Sequence, residues 1–365
     1  MGAPKEYYVD PAGGNDTTGN GTIGTPWKSV QKALNTITRD ATNGDRVNIK
    51  AGVADVLGAA LSFSTYGVGG LSSPLIFQGY TAVAGDGGIG SIDGAGAYAI
   101  SAGNNYTFYR DLKLGNCGAA AVVNVGGAGG SSHIINCEVY GTSGNGIVSG
   151  NQCYVDGCYV HDIGGIGFSA TGESLCLRSH FENGVVAMTA CVSGACRITN
   201  WNTFNIAGAT NAIITTSQYN LIAHNSILSS GGTGTGITAS TTIGQLFEHN
   251  LIEGFSGVGG RAIYTSANSF EGIVCRNNSI FNCTAGISSV AGYDGLFNRG
   301  NETLVATPFA KIGANTWANR LVYYAPQNVG SVYGGSGDVF RGAIQPVFTG
   351  GTSRPRIYVG GRLRT

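Results

Sequence analysis

Five polar residues, four of which could perform acid–base chemistry, recur at matching places in consecutive repeats of the sequence. They lie four or five positions after an aligned column of the repeat and are Tyr140, His161, Asp162, Glu182 and Asn183. On neighbouring strands about 4.8 Å apart, a tyrosine, a histidine and two acids would suit proton abstraction or hydrogen bonding to a glycan. The competing interpretation is an ordinary polar turn.

A second set of polar residues lies one position before the same column. It contains His224, His249 and Asn277, flanked by Glu248 and Arg276. Histidines on the outside of consecutive repeats, beside an ion pair, could bind a sugar or a metal ion. Surface stacking beside an exposed Glu–Arg pair, with no ligand, is the alternative.

Both ends of the chain carry weaker candidate sites, one for a metal ion and one for a protein partner. The entry loop contains Asp10, Asn15 and Asp16, whose oxygen atoms suit Ca²⁺, although such a loop is also typical of Asx turns. No other metal site is predicted. The last dozen residues contain four arginines and no acid, and these are Arg354, Arg356, Arg362 and Arg364. They indicate either an arm that docks on an acidic partner or a neighbouring subunit, or a solvated end.

The elements that must position these residues are short strands in a drifting repeat. Phrases such as IINCEVY, YVDGCYV, LIAHNSIL, LFEHNLIE and IVCRNNSIF return every 21 to 28 residues. Aligning them by their apolar residues places in one column Asn136, Gly157, Arg178, Asn202, Asn225, Asn250 and Asn278. The runs have strand composition and no unit contains a helix-forming half, so the repeat predicts an all-β solenoid of stacked parallel sheets. Period-2 alternation turns Asn225, Asn250 and Asn278 inward, where their amides would stack in a ladder.

The ends of the solenoid are predicted to be covered. Thr25 as N-cap and Pro26 at the first helical position begin a helix with one apolar face of Trp27, Val30, Leu34 and Ile37. The repeat pattern stops after Asn301. The sequence therefore predicts an N-terminal loop and capping helix in residues 1–46, a parallel β-helix in 47–300, and an irregular cap and tail in 301–365.

Composition excludes several classes of function. Net charge is zero and 11% of the residues are charged, which argues against general nucleic-acid binding, and no apolar run reaches membrane-spanning length. The nine cysteines lie mostly inside the repeat phrases, where they are expected to be small buried hydrophobes. No signal peptide is visible, so either the protein is made and assembled in the cytoplasm, as virion proteins are, or Met1 and Gly2 stand in place of a removed leader. The expected buried, reduced cysteines favour the first explanation, and we expect a protein of the virion or the extracellular surface.

Several further segments carry a family resemblance over roughly residues 7 to 300. They are YYVDPAGGNDTTGNGTIGTPWKSVQKAL at Tyr7, GDRVNIKAG at Gly44, PLIFQGY at Pro74 and SIDGAGAYAI at Ser91. Together with the repeat they resemble the right-handed, single-stranded parallel β-helix of the pectate-lyase-like superfamily. That resemblance implies the fold, but the superfamily includes lyases, hydrolases, epimerases, adhesins and phage spikes or fibres.

The signatures of the well-known activities are missing. The sequence has neither the three-carboxylate Ca²⁺ set and arginine base of typical pectate lyases, nor the NTD, DD and GHG motifs of polygalacturonases, nor the DPHD motif of alginate epimerases. We therefore expect a non-catalytic structural or glycan-binding protein, such as a phage fibre, spike or decoration protein. It would need no cofactor, and its partners would be other virion or surface proteins, further copies of itself, or polysaccharide. The alternative is a polysaccharide lyase, with Ca²⁺ as cofactor, on one of the two polar strips.

Overall fold

The computed structural model describes residues 2–67, 70, 73–102, 106–119, 121–125, 131–150, 152–170, 172–182, 186–190, 197–206, 211–216, 219–240, 244–265, 273–289, 296–299, 302–304, 307–311, 346–347 and 356–357. The chain forms two compact units, Met1–Leu175 and Cys176–Thr365. Both are built from short parallel strands.

The first unit contains one short helix among its described residues, α1 (Val30–Thr36), and parallel strands on either side of it. In chain order the strands are β1 (Lys5–Val9), β2 (Asp45–Lys50), β3 (Asp55–Val56), β4 (Leu75–Tyr80), β5 (Gly90–Asp93), β6 (Ser101–Ala102), β7 (Thr107–Arg110), β8 (Leu112–Gly118), β9 (Val123–Val125), β10 (Ser132–Ile135), β11 (Glu138–Thr142), β12 (Ile147–Ser149), β13 (Cys153–Asp156), β14 (Tyr159–Ile163) and β15 (Ile166–Ala170). Strand β16 (Ser174–Leu177) contains the unit boundary.

The second unit continues with strands of three to five residues. They are β17 (His180–Glu182), β18 (Val186–Ala190), β19 (Arg197–Asn200), β20 (Thr203–Ile206), β21 (Ile213–Thr215), β22 (Asn220–Ala223), β23 (Ser226–Ser229), β24 (Thr235–Ala239), β25 (Leu246–Glu248), β26 (Leu251–Glu253), β27 (Arg261–Thr265), β28 (Ile273–Arg276), β29 (Ser279–Phe281), β30 (Ala285–Ser289), β31 (Leu296–Arg299), β32 (Glu302–Leu304) and β33 (Thr307–Lys311). Near the end of the chain, β34 (Pro346–Val347) and β35 (Arg356–Ile357) form an antiparallel pair.

From β4 onward, each coil contributes one strand to each of three parallel sheets. In the first unit the orders are β1-β2-β4-β7-β10-β13, β3-β5-β8-β11-β14 and β6-β9-β12-β15. In the second unit they are β19-β22-β25-β28-β31, β17-β20-β23-β26-β29-β32 and β18-β21-β24-β27-β30-β33. We call these the first, second and third sheets. Apart from β34 and β35, the strands pair with their equivalents one coil away, so the prediction of an all-β parallel solenoid with a short N-terminal helix is confirmed.

The N-terminal end of the solenoid is covered in a different way from the one predicted. The helix begins at Val30 with Ser29 as its N-cap, not at Thr25 and Pro26. Trp27 is extended and bridges Val9, because the backbone of the entry loop hydrogen-bonds the free edge of β1. The loop therefore protects this strand edge, while the helix buries Val30, Ala33 and Leu34. The cap predicted after residue 301 lies mostly outside the described residues, and the boundaries predicted at 46 and 300 stay predictions.

In the second unit a column of buried asparagines runs through the bend between the first and second sheets. Asn225 Nδ2 donates to Thr199 O and to Asn250 Oδ1, both at 3.0 Å. Its Oδ1 accepts from the backbone N and the Nδ2 of Asn202, at 3.0 and 3.1 Å. Asn250 repeats the pattern, and its Nδ2 donates to Asn278 Oδ1 at 2.9 Å. Every donor and acceptor of the Asn225 amide is thus occupied, which is what makes its burial favourable.

The sequence alignment of this column was wrong by one residue in its first three members. Arg178 has a left-handed backbone, as do Trp201 and His224, and the residue after each of them is buried. Ser179 is therefore the equivalent of Asn202, whose Oδ1 accepts from the backbone N of Ser179. In the first unit Asn136 and Gly157 are left-handed as well, and Cys137 and Cys158 take the buried place. A left-handed residue breaks the alternation, so a slip of one position exchanges inside for outside.

Among the described residues, no helix has the length and hydrophobicity needed to cross a bilayer.

Candidate functional site

The left-handed bend places a row of side chains on the outside of the second unit. Trp201, His224, His249 and Asn277 occupy this position in successive coils, with φ between 53° and 61°. The rings of Trp201 and His224 stack with centroids 4.5 Å apart, and those of His224 and His249 stack at 4.9 Å. Asn277 Nδ2 lies 3.3 Å from His249 Nε2. The structure thus brings together His224, His249 and Asn277 as the sequence suggested, and Arg276 pairs with Glu248 beside them.

Sequence reasoning missed Trp201, which is 43% exposed and begins the stack. The sequence did contain a pattern that could have identified Trp201, because Trp201 precedes Asn202 just as His224 precedes Asn225. The misaligned column hid this equivalence. The imidazole rings of His224 and His249 are nearly parallel, 7° apart, so their nitrogen lone pairs lie in separate planes and do not converge on one point. This geometry favours stacking over chelation of a metal, and the described residues contain no group of three or more His, Cys, Asp or Glu side chains arranged to hold one.

Next to the stack, the outer surface of the first sheet is aliphatic. Ile198, Leu221, Leu246 and Val274 are register partners on consecutive strands and all are half-buried. At the opposite end of these strands Tyr219 is 52% exposed, and its ring covers Gly244, where a Cβ would lie 2.4 Å from Tyr219 Cδ1. We call this surface the aromatic-rimmed face: an aliphatic row between Tyr219 on one side and the Trp201–His249 stack on the other.

Partial burial makes the stack sensitive to pH. Burial lowers the pKa of His224 below its ordinary value, neighbouring His249 lowers it further, and Glu248 opposes both. In the unfolded chain a histidine titrates at about 6.5. As the pH falls the unfolded state therefore takes up the proton first, and the folded state loses stability until the pH has passed the folded pKa.

We expect the melting temperature to fall between pH 7.5 and pH 5, and His224→Gln to reduce that slope because it removes one of the contributing groups. An NMR titration should show His224 with a pKa below that of an unstructured histidine. A pKa at or above the ordinary value would contradict the prediction.

The first unit holds a dense cluster of titratable side chains on its second sheet. The ring of His161 stacks on Tyr159 with centroids 4.2 Å apart and on Tyr140 at 5.8 Å. His161 Nδ1 lies 2.8 Å from Asp162 Oδ2, and its Nε2 lies 3.2 Å from Glu138 Oε1. Ionised carboxylates only accept hydrogen bonds, so both contacts form at once only when the ring carries a proton on each nitrogen.

Lys113 completes this cluster. Its Nζ lies 2.7 Å from Glu138 Oε1 and 4.5 Å from the centroid of the Tyr140 ring. The hydrogen bond to Glu138 raises the pKa of the lysine ammonium. Burial raises the pKa of the Tyr140 phenol, and the Asp93 carboxylate adds to this shift. At neutral pH Tyr140 is therefore a hydroxyl and not a phenolate.

The structure places the members of the first predicted strip in different surroundings. Tyr140, His161 and Asp162 cluster as described, together with Lys113 and Glu138, which the sequence did not single out. Glu182 belongs to the second unit, where its Oε2 lies 3.6 Å from His180 Nε2. Asn183 lies outside the described residues. The partners on preceding coils were missed because register had to be known before Glu138 could be matched with Tyr159 and Lys113.

The oxygen atoms of the entry loop are occupied by hydrogen bonds. Asp10 accepts from the backbone N of Ala12 and Gly13 and pairs with Lys50. Asn15 Oδ1 accepts from the backbone N of Thr17 and Thr18. Asp16 accepts from the backbone N and hydroxyl of Ser29. These are the contacts of Asx turns and a helix cap. Of the C-terminal arginines, Arg354, Arg362 and Arg364 lie outside the described residues, and Arg356 begins β35.

No family model and no curated protein matches the chain. Among solved structures it is similar to the GH136 lacto-N-biosidase from Eubacterium ramulus, at 12% identity and a TM-score of 0.48, over 84% of this chain and 68% of that one. It is also similar to pectate lyase Pel9A (13%, 0.43, over 85% and 82%) and to tailspike protein 3 of bacteriophage CBA120 (12%, 0.39, over 85% and 60%). Their names describe two different enzymes and a phage tailspike. By its own strand topology, the chain is a parallel β-helix protein.

Proposed function

We propose that this protein is a non-catalytic glycan-binding β-helix and that it serves as a fibre, spike or decoration component of a virion or cell surface. The observation that carries the proposal is the aromatic-rimmed face of the second unit. Exposed aromatic side chains beside a half-exposed aliphatic row are uncommon on a surface with no partner. Here aromatic rings occupy the same outer position on three successive coils, in Trp201, His224 and His249.

A sugar has an apolar C–H surface and polar hydroxyls, and the aromatic-rimmed face offers contacts for both. The C–H surface of a sugar ring can lie on Leu221 and Leu246, while its hydroxyls meet the indole N–H of Trp201 and the imidazole edges of the stack. In the Trp201–His249 stack the rings cover each other, so they present polar edges to a ligand and not their faces. Because equivalent groups repeat about every 4.8 Å along the coils, a chain of sugars can make the same contact several times.

The cluster around His161 supports the non-catalytic side of the proposal. A lyase needs a base with a free site for the substrate proton. Both nitrogens of His161 already face carboxylates, and the raised pKa of Tyr140 keeps the phenol protonated. Neither group is poised to accept a proton.

The cysteines support assembly in a reducing compartment. Those that the structure describes are buried and form no disulfide bond: Cys117, Cys137, Cys153, Cys158, Cys176, Cys275 and Cys283. Burial raises the pKa of Cys153 to about 12, so its thiol is unreactive. Folding before any exposure to oxidants agrees with a protein built into a particle inside the cell. Co-purification of the native protein with particles would support this location, and its recovery only as free protein in the culture medium would contradict it.

The glycan-binding proposal is tested by Trp201→Ala in a panel of neutral and acidic polysaccharides. We expect affinity for the bound glycan to fall at least about tenfold, which corresponds to about 1.4 kcal/mol. Val258→Ala is the control, because Val258 is 94% exposed in the same unit but lies away from the face. Unchanged affinity in Trp201→Ala would contradict the proposal.

The same panel tests the lyase alternative. Release of unsaturated uronates, followed by their ultraviolet absorbance with and without Ca²⁺, should not occur. Turnover that is abolished by His161→Ala or His249→Ala would overturn the non-catalytic assignment.

A further inference from the structure

A notch on the second sheet of the first unit lies between two exposed polar side chains. Asn116, Gly141 and Asp162 occupy equivalent left-handed positions on three successive coils, with φ of 56°, 65° and 53°. The middle position has no side chain, and a Cβ there would meet no atom closer than 3.3 Å. Asn116 and Asp162 are therefore about 10 Å apart across two coil steps, with no side chain between them.

The walls of the notch carry unused hydrogen-bonding groups. Asn116 donates from Nδ2 to Asp93 Oδ1 at 2.8 Å, which leaves its own Oδ1 without a partner in the described part of the chain. Asp162 binds His161 through Oδ2, and its Oδ1 is likewise free within the described residues. Tyr140 adjoins Gly141, and its hydroxyl also makes no hydrogen bond to any described residue. The notch thus offers two acceptors and one hydroxyl in a row.

These groups are held in place before any ligand arrives. The Tyr140 ring lies flat between Gly115, where a Cβ would come within 2.4 Å of it, and the ring of His161. His161 is fixed by Glu138, which Lys113 also binds. Groups that are already ordered lose little conformational entropy on binding.

We propose that the Gly141 notch is a second glycan-binding site, selective for a neutral sugar with hydroxyls on opposite sides of its ring. Two such O–H groups can donate to Asn116 Oδ1 and Asp162 Oδ1, while a third oxygen accepts from Tyr140. The charge at the notch selects against uronates, because Asp93 and Asp162 line it and the nearby cation, Lys113, is already bound to Glu138. The inference rests on the proposed function in taking glycans as the ligands, but it concerns different residues in a different unit.

Filling the notch gives a direct test. In Gly141→Asn the new side chain occupies the space between Asn116 and Asp162, in a backbone conformation that asparagine tolerates. Gly157→Asn is the matched control. Gly157 has φ of 63°, a Cβ there would have 3.9 Å to its nearest neighbour, and it lies on the other bend of the coil. Asn116 and Asn136 show that both bends accept asparagine.

Titration calorimetry of the full chain with neutral gluco-, manno- and galacto-oligosaccharides, and with oligogalacturonate, separates the outcomes. We expect two sites for a neutral oligosaccharide, one of them lost or weakened at least tenfold in Gly141→Asn and kept in Gly157→Asn. Trp201→Ala should remove the other. Identical titrations of Gly141→Asn and Gly157→Asn, or equal binding of oligogalacturonate at the notch, would overturn this inference and leave the proposed function standing. An unaffected Trp201→Ala variant would overturn the proposed function alone, and no binding of any probe would overturn both.

Discussion

Asn225→Ala is expected to destabilise the second unit by about 4 kcal/mol or more, because each buried polar group left without a partner costs about 1–3 kcal/mol. The substitution removes four hydrogen bonds at once. It leaves Thr199 O without the amide donor and the backbone N of Asn202 without its acceptor. Each coil contacts only its neighbours, so losing these hydrogen bonds weakens the attachment between the coils on either side of Asn225. The melting temperature should fall by roughly 10 °C.

Asn205→Ala is the matched control, since Asn205 is exposed and lies on the strand that follows Asn202. Exposed substitutions usually change the unfolding free energy by less than about 0.5 kcal/mol. Thermal unfolding followed by circular dichroism compares the two variants. Equal melting temperatures for Asn225→Ala and Asn205→Ala would show that the buried amide column contributes nothing.

Gly254→Ala is expected to have the second largest effect on stability. Gly254 has φ of 87°, and a Cβ added there would lie 1.8 Å from the carbonyl oxygen of Ser229 on the preceding coil. That oxygen belongs to the backbone, so the clash can be relieved only by moving one coil against the next. Overpacking of this kind costs typically about 1–3 kcal/mol, in addition to about 1–2 kcal/mol for a left-handed alanine.

Gly259→Ala isolates the steric part of this effect. Gly259 has nearly the same backbone, with φ of 83°, but a Cβ there would meet nothing within 4 Å. It should therefore show the left-handed strain alone, and Gly254→Ala should melt several degrees lower than Gly259→Ala. The explanation fails if Gly254→Ala is as stable as Gly259→Ala.

The sequence by itself determined the architecture. Short β-type phrases at a drifting period of 21 to 28 residues can bury their apolar sides only by stacking on their neighbours, and this predicts parallel sheets. Alternation within LIAHNSIL and LFEHNLIE also placed Asn225 and Asn250 inside and His224 and His249 outside. These inferences succeeded because they depend on period and polarity, which a sequence displays directly.

Only the tertiary structure decided which residues are neighbours across the coils. The left-handed residue at each bend shifts inside and outside by one position, so alignment by apolar residues paired Arg178 with Asn202 and concealed Trp201. The contacts of His161 with Glu138, and of Glu138 with Lys113, depend on register between coils and on side-chain direction. Residues so far apart in the sequence, on strands of a drifting period, are brought together by backbone geometry, and no local pattern records that geometry.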